Sequence, residues 1–184
     1  MQFHLHAGSE HTIDGVRHDL EMHTVHYPDI EPYDGTGLFA NDFMASAVGL
    51  VFSVDKYTAD LTFAEQQVID NFFNSLKWDD TASPIVDMVT YGSLMEMVDS
   101  NNRWVYKGSV TTPTCATFVY WNVLSTIYPV SQKHLDLFKA QLNSGADSSV
   151  YTEKGLAEYG NWREIQTVDK HDVFYVQQKE EVDP

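Results

Sequence analysis

The chain has 184 residues, of which 43% are hydrophobic, and it carries 27 acidic against 11 basic side chains. This length is typical of one domain, and the hydrophobic content excludes general disorder. The formal net charge of −16 repels phosphate backbones and anionic lipid surfaces, so we expect no nucleic-acid partner.

Short segments rich in β-branched and aromatic residues predict a mainly β chain. The predicted strands are Gln2–His6, Asp19–His26, Ala45–Val54, Ile85–Met88, Trp104–Tyr106, Ala116–Leu124 and Asp172–Gln177. The longest apolar run, Met44–Phe52, is too short to span a membrane and is typical of a buried strand. No repeat or linker divides the chain, so we predict a single domain over residues 1–184.

Two segments have helical periodicity instead. In the first, Thr62 and Glu65 form a capping box ahead of an apolar stripe. The stripe consists of Val68, Ile69, Phe72, Phe73 and Leu76. In the second, Ser131 is the predicted N-cap, and apolar residues again recur at helical spacing. We therefore expect a few surface helices beside the strands.

Six of the eight histidines precede Asp29, and several of them lie in predicted strands. Alternate residues of a strand share a face, so His4 and His6 point the same way. If the strand of His23 is a neighbour, three imidazoles can share one metal ion. Three imidazoles with an open fourth position are typical of a catalytic zinc site. The alternative is that these histidines are ordinary polar residues on a solvated strand face.

Six motifs carry a resemblance to a known family: QFHLH, GSEHT, LEMHTVH, YKGSVTTP, FVYW and NWR. Their order and spacing closely resemble those of the α-class carbonic anhydrases, from Gln2 to about Val176. The resemblance implies a large, twisted, mostly antiparallel sheet. It also implies a zinc lyase that reversibly hydrates carbon dioxide to bicarbonate and a proton, with zinc-bound hydroxide as the nucleophile. Carbonic anhydrase is itself the standard example of zinc that lowers the pKa of bound water to about 7.

By the same resemblance, five residues match the family's metal centre. His4, His6 and His23 match its three zinc ligands. Gln2 and Glu21 match acceptors for the N–H groups of the ligand imidazoles, and such acceptors fix the orientation of each ring.

Thr111 and Glu10 match the family's catalytic pair. Because an ionised Glu10 can only accept, the Thr111 hydroxyl donates to it and presents a lone pair to the hydroxide. The residues that match the apolar wall of the carbon dioxide site are Val25, Ala47, Val110 and Trp121. Thr112 lies beside this site, where it can contact bicarbonate or form the turn before Pro113.

The remaining histidines receive structural interpretations. The family has a buried hydrogen-bond network beneath the strands that carry the zinc ligands, and its members match His11, His26 and Tyr106. The histidines expected to be solvated are His18, His134 and His171.

The family carries a substantial N-terminal portion before the QFHLH strand, which here begins at Gln2. We therefore expect an N-terminally incomplete domain: either the sequence is truncated, or a partner chain supplies the remaining strands, or a homodimer pairs the exposed sheet edges. The family's proton-shuttle histidine falls in that portion, so activity is expected to be impaired. The alternative function is a catalytically weak or inactive carbonic-anhydrase-like binding or assembly subunit.

Cys115 is the only cysteine and follows the TTPT sequence. In secreted and algal-type relatives, a cysteine at this place pairs with one near the N-terminus, so the resemblance implies half of a disulfide. A buried free thiol is the alternative. Together with the acidic composition, this cysteine favours a secreted or organelle-lumenal protein.

Overall fold

The structure, a computed structural model, describes residues 2–27, 45–80, 86, 88–144, 155–167 and 172–177. The strands are β1 (Gln2–Ala7), β2 (Thr12–Ile13), β3 (Val16–Arg17), β4 (Leu20–His26), β5 (Ala45–Ser53), β6 (Arg103–Gly108), β7 (Val119–Pro129) and β8 (Phe174–Val176). The helices are α1 (Phe63–Ser75), α2 (Tyr91–Met97), α3 (Gln132–Ser144) and α4 (Leu156–Tyr159). None of these described helices is long and apolar enough to cross a membrane.

Six of the strands form one sheet in the order β1, β4, β5, β7, β6, β8. Neighbouring strands are antiparallel except β5 and β7, which are parallel. The two remaining strands, β2 and β3, form a separate hairpin. The predicted mainly β fold with a large, mostly antiparallel sheet is therefore confirmed.

The two faces of the large sheet have different roles, because cross-strand partners share a face. One row of partners consists of His4, His23, Gly49, Val123 and Trp104, and we call its side the site face. The opposite side, the core face, carries the row Leu5, Met22 and Leu50. The main apolar cluster lies on the core face and includes residues of α1, α2 and α3. The three longer helices thus pack on the core face.

The predicted capping of the two long helices is present. The Thr62 backbone N–H donates to Glu65 Oε2 at 2.8 Å, and the Glu65 N–H donates to Thr62 Oγ1 at 3.2 Å. Ser131 Oγ accepts from the His134 N–H at 3.3 Å at the start of α3. The predicted stripe of α1 is buried at Ile69, Phe72, Phe73 and Leu76, whereas Val68 is half-buried. Satisfied terminal N–H groups and apolar burial together explain why these segments are helical.

Several predictions of local structure are wrong. Of the predicted strand Ile85–Met88, the structure describes Val86 and Met88, and neither belongs to a strand. Met88 is exposed, so apolar content alone misidentified this segment as a strand. The β2–β3 hairpin was not predicted, although its Asp14-Gly15 turn has the positive φ values (53° and 76°) that Asp-Gly pairs favour. The helices α2 and α4 were also not predicted.

His134 was expected to be solvated, but it is only 3% exposed. Its ring stacks on Phe73 with centroids 5.4 Å apart. Its two ring nitrogens lie 2.8 Å from Ser131 Oγ and 3.0 Å from Asn74 Oδ1. Burial is tolerated because both polar atoms have partners. His18 is half-buried, and His171 lies outside the described residues.

Candidate metal centre

Three imidazoles converge on the site face at the β1 edge of the sheet. His4 and His6 are alternate residues of β1, and His23 lies opposite His4 on β4. One nitrogen from each ring lies within 4.8 Å of the others. Nδ1 of His23 is 3.3 Å from Nε2 of His4, and the His6 and His23 ring centroids are 4.7 Å apart. The strand alternation that the sequence predicted thus brings the three predicted ligands together.

The outward nitrogens of two of these rings are held by acceptors. Nε2 of His23 donates to Oε1 of Glu21 at 2.8 Å, and Nδ1 of His6 donates to the Asn161 carbonyl at 2.8 Å. Because a carboxylate and a carbonyl can only accept, the outward nitrogens carry N–H groups, and in the neutral form of each ring the inward nitrogen carries a lone pair. The inward Nε2 of His6 is buried and has no hydrogen-bond partner. An unpartnered lone pair among imidazoles fits a metal ion.

The electrostatics favour the neutral form of His4 and His6. The pKa of His4 is lowered to about 4, first by partial burial of the ring and then by the nearby His23 and His6. Burial, followed by His23, also lowers the pKa of His6. Burial by itself raises the pKa of Glu21, but His11 and His23 more than offset it and hold that pKa well below its usual range. Neutral imidazoles beside an ionised carboxylate are the forms that bind a cation.

Glu21 also connects the centre to a buried network. His11 Nδ1 lies 2.6 Å from Glu21 Oε1, and His11 Nε2 lies 2.7 Å from the Tyr106 hydroxyl. Burial by itself lowers the pKa of His11, but the charge and hydrogen bond of Glu21, together with the charge of Glu10, outweigh burial, so the net shift is upward. Burial also raises the pKa of Tyr106, and Glu21 adds to this. The predicted network therefore contains His11 and Tyr106.

His26 does not belong to this network, contrary to the prediction. Its Nε2 lies 3.0 Å from Thr24 Oγ1. In a strand, positions 24 and 26 point away from the face of position 23, so His26 lies on the core face.

Glu10 reaches the imidazoles with one carboxylate oxygen. Its Oε1 accepts from the Arg163 N–H at 2.7 Å. Its Oε2 lies 3.5 Å from His6 Nε2 and 3.8 Å from His23 Nδ1, and it is buried without a hydrogen-bond partner. The predicted hydrogen bond from Thr111 is therefore not formed, because Oε2 faces the imidazoles instead. Thr111 and Glu10 nevertheless line the same cavity, of about 520 Å³.

The four residues of the predicted apolar wall lie together. Ala47 and Trp121 are buried, and Val25 and Val110 pack against their cluster. The Trp121 ring lies 4.6 Å from the His23 ring, centroid to centroid. This small apolar cluster thus adjoins the imidazoles, and its role as a substrate wall stays a prediction.

Two other predicted site residues make fewer contacts. Gln2 is exposed, and its side chain has no hydrogen bond to a described residue, so its predicted contact with a ligand imidazole is not formed. Thr112 is exposed, and its carbonyl accepts from the Cys115 N–H at 2.7 Å, which supports the turn interpretation. Cys115 is a half-buried free thiol that lines the cavity.

Sequence reasoning assigned no role to Asn161 or Arg163. Asn161 lies 155 positions from His6, and Arg163 lies 153 positions from Glu10. Both belong to the NWR motif, which was the available signal. Both contacts use backbone groups of this segment, so residue type alone could not reveal them.

These features define a class of protein: a mostly antiparallel sheet that carries a candidate three-imidazole metal centre on one face. The profile of the family described as "Eukaryotic-type carbonic anhydrase" matches residues 1–177. The chain belongs to the eukaryotic-type carbonic anhydrase family.

Curated relatives are distant and longer than this chain. Carbonic anhydrase 3 of Mus musculus is 29% identical over 173 residues, which cover 91% of this chain and 61% of the relative. Alpha carbonic anhydrase 8 of Arabidopsis thaliana is 26% identical over 178 residues, which cover 97% and 38%. Putative carbonic anhydrase 3 of Caenorhabditis elegans is 30% identical over 147 residues, which cover 76% and 52%. The chain thus spans about 40 to 60% of the length of these relatives.

Solved structures share the fold. The α-carbonic anhydrase from Thermovibrio ammonificans, in complex with the inhibitor sulfanilamide, has a TM-score of 0.61 and 20% identity, covering 93% of this chain and 60% of that one. Dioscorin complexed with ascorbate has a TM-score of 0.58 and 22% identity, covering 96% and 61%. At these identities the likeness concerns the fold.

Proposed function

We propose that the chain binds one zinc ion through His4, His6 and His23 and catalyses the reversible hydration of carbon dioxide to bicarbonate and a proton. The observation that carries this proposal is the convergence of three imidazole nitrogens within 4.8 Å. Membership of the carbonic anhydrase family supports it.

The donor set fits zinc. Imidazole is a typical zinc ligand, and three protein ligands leave one position for water or substrate. When bound, zinc would lower the pKa of a coordinated water to about 7, a value for which carbonic anhydrase is itself the standard example. Glu21 and the Asn161 carbonyl select the tautomers of the neutral His23 and His6 rings, in which the inward nitrogens are free to donate lone pairs to the cation.

Glu10 and Thr111 are proposed to orient the nucleophile. The Arg163 N–H anchors Oε1 of Glu10, and Oε2 is free to accept. A Thr111 hydroxyl that donates to Oε2 keeps its lone pairs for the nucleophile, which is thereby aimed at the substrate carbon. The two residues already line one cavity, and the proposal includes a movement of their side chains that forms this contact.

Carbon dioxide is uncharged, so its site should be apolar. The cluster of Val25, Ala47, Val110 and Trp121 adjoins the imidazoles and excludes water from that side. Thr112 is exposed, and we propose that its side chain contacts bicarbonate.

A second candidate function is a carbonic-anhydrase-like binding or assembly subunit with little catalysis. The missing Thr111–Glu10 hydrogen bond favours it, because an unoriented nucleophile reacts slowly. The fold likeness to dioscorin complexed with ascorbate is consistent with a binding role.

The test compares two histidine variants with the wild-type chain. His4→Ala removes an exposed ligand and leaves the core unchanged. His26→Ala is the matched control, because His26 lies on β4 but on the core face. Zinc content is measured after dialysis, and carbon dioxide hydration is followed by stopped flow with and without a sulfonamide inhibitor.

We expect one zinc per wild-type chain, hydration that the sulfonamide blocks, and loss of both zinc and activity in His4→Ala only. Zinc binding without hydration would support the binding subunit. A wild-type chain that binds no zinc, or a His4→Ala variant with unchanged zinc and rate, would overturn the zinc-centred proposal.

Two predictions about the setting of the protein accompany this proposal. A homodimer or a partner chain that covers a sheet edge is checked by the sedimentation of the purified chain. A secreted or organelle-lumenal location is checked by imaging of the tagged protein.

A further inference from the structure

Asn161 occupies the outer edge of β1, beside His6. Its Oδ1 accepts from the Ala7 N–H at 2.8 Å, and its Nδ2 donates to the Leu5 carbonyl at 3.1 Å. These two backbone groups belong to the peptide units on either side of His6. A carboxamide contains both an acceptor oxygen and a donor NH₂ group. This side chain therefore makes the two backbone hydrogen bonds that a neighbouring strand would make on either side of His6.

The backbone of Asn161 reinforces the contact. Its N–H donates to the Ala7 carbonyl at 3.3 Å, and its carbonyl accepts from Nδ1 of His6. The preceding Gly160 has a φ of 86°, and a Cβ atom there would clash with the Ala7 carbonyl oxygen. Glycine therefore lets this segment approach close enough for the Asn161 amide to reach β1.

The position of this amide matters because, among the strands that the structure describes, β1 lies at an edge of the sheet. Among the described strands, β1 pairs with β4 alone. An edge held from one side frays more readily than a strand paired on both sides. Fraying at Leu5–Ala7 would move His6, whose inward Nε2 is buried among the other imidazoles.

We propose that Asn161 is a positioning residue for the metal centre and that it acts through its side-chain amide. It clamps the two peptide units that flank His6 and thereby fixes Nε2 of His6 relative to His4 and His23. This inference rests on the proposed zinc site. Because the Asn161 backbone carbonyl survives substitution, changing the side chain tests the clamp separately from the hydrogen bond to the ring.

The decisive variant is Asn161→Ala, with Asn122→Ala as the matched control. Asn122 is also half-buried and uses both ends of its amide, accepting from Arg103 Nε at 3.1 Å and donating to Ser46 Oγ at 3.2 Å. Asn122 pairs with Val48 and Val105, away from the imidazoles. Zinc affinity is measured by competition with a chromophoric chelator, and the free energy of unfolding is measured by urea titration.

We expect Asn161→Ala to raise the zinc dissociation constant about 10- to 100-fold, as for other outer partners of metal ligands. Asn122→Ala should lower stability without changing zinc affinity. Asn161→Asp should also bind zinc more weakly, because a carboxylate can accept from Ala7 but cannot donate to Leu5. Zinc affinities like that of the wild type in both Asn161 variants would overturn the clamp, as would an equal loss in Asn122→Ala.

A zinc-free measurement separates this inference from the proposed function. Amide hydrogen exchange in the metal-free chain should be faster at Ala7 in Asn161→Ala than in wild type, and the nitrogen shifts of the His6 ring should change. If the wild-type chain binds no zinc, the proposed function fails, and these two signals alone decide whether the amide positions His6. If zinc binds and neither signal responds, the clamp fails while the function stands.

Discussion

A Cβ atom on Gly49 would lie 2.8 Å from Oε1 of Glu21. Gly49 sits beside His23 on the neighbouring strand, and Glu21 is pinned by His11 and His23. The carboxylate therefore has little room to give way. We predict that Gly49→Ala displaces Glu21 and weakens zinc binding about 10- to 100-fold, measured by chelator competition.

Gly92→Ala is the control for that substitution. A Cβ atom on Gly92, in α2, meets nothing within 4 Å. Alanine is favoured over glycine in a helix, so Gly92→Ala should raise the free energy of unfolding by about 0.5–1 kcal/mol. Unaltered zinc affinity in Gly49→Ala would show that Glu21 can move without loss.

Glu10 supplies a prediction about catalysis rather than metal binding. Glu10→Gln keeps an oxygen that can accept from the Arg163 N–H but places an NH₂ group where Thr111 is proposed to donate. We expect the hydration rate to fall about 100-fold through misorientation, while the zinc content stays that of the wild type. Stopped-flow measurements on zinc-loaded protein check this.

Glu164→Gln is the matched control, because Glu164 lines the same cavity but is exposed. Its hydration rate should equal that of the wild-type chain. An equal decrease in both variants would mean that the cavity's charge, and not the orientation of Thr111, controls the rate.

The buried His134 predicts a pH dependence of stability. Burial lowers its pKa below the ordinary value of 6.5, and Lys133 adds to the decrease, although Asp70 opposes it. Below that ordinary value the unfolded chain therefore binds protons before the folded chain does. The stabilisation is complete above pH 6.5 and is lost as the pH falls through the folded pKa.

We expect His134→Gln to reduce the loss of unfolding free energy between about pH 7 and pH 5, measured by urea titration at several pH values. Leu135→Ala, a buried substitution on the same helix, should lower stability at every pH and leave the slope unchanged. The prediction would be contradicted if the free energy of unfolding of His134→Gln changed with pH as steeply as that of the wild-type chain.

The apolar core behind β1 and β4 leads to different expectations for the stability of variants at two phenylalanines of α1. Phe72 is fully buried, and its ring lies 6.1 Å from that of Phe3 on β1. We expect Phe72→Ala to lower the free energy of unfolding by about 3–5 kcal/mol. Phe63 is 74% exposed, so Phe63→Ala should change it by at most about 0.5 kcal/mol. Similar losses in both variants, measured by urea unfolding, would argue against this packing.

The sequence by itself determined the features that depend on neighbouring residues. Alternation in a strand places His4 and His6 on one face whatever surrounds them, and the Thr62–Glu65 capping box forms within a single turn. The apolar stripe of α1 likewise identifies the side of the helix that is buried. The order of the motifs also predicted the large sheet and the role of His23 as a ligand, because the arrangement of motifs along a chain reflects a shared fold.

The tertiary structure decided what depends on distant contacts. Asn161 reaches His6 across 155 positions, and no local rule predicts which backbone carbonyl meets a given ring. The same holds for Glu10, whose Oε2 faces the imidazoles and not Thr111. His134 became buried because Asn74 and Ser131 satisfy its ring nitrogens. Hydrogen bonds of this kind are selected by packing and register, and these are properties of the folded chain as a whole.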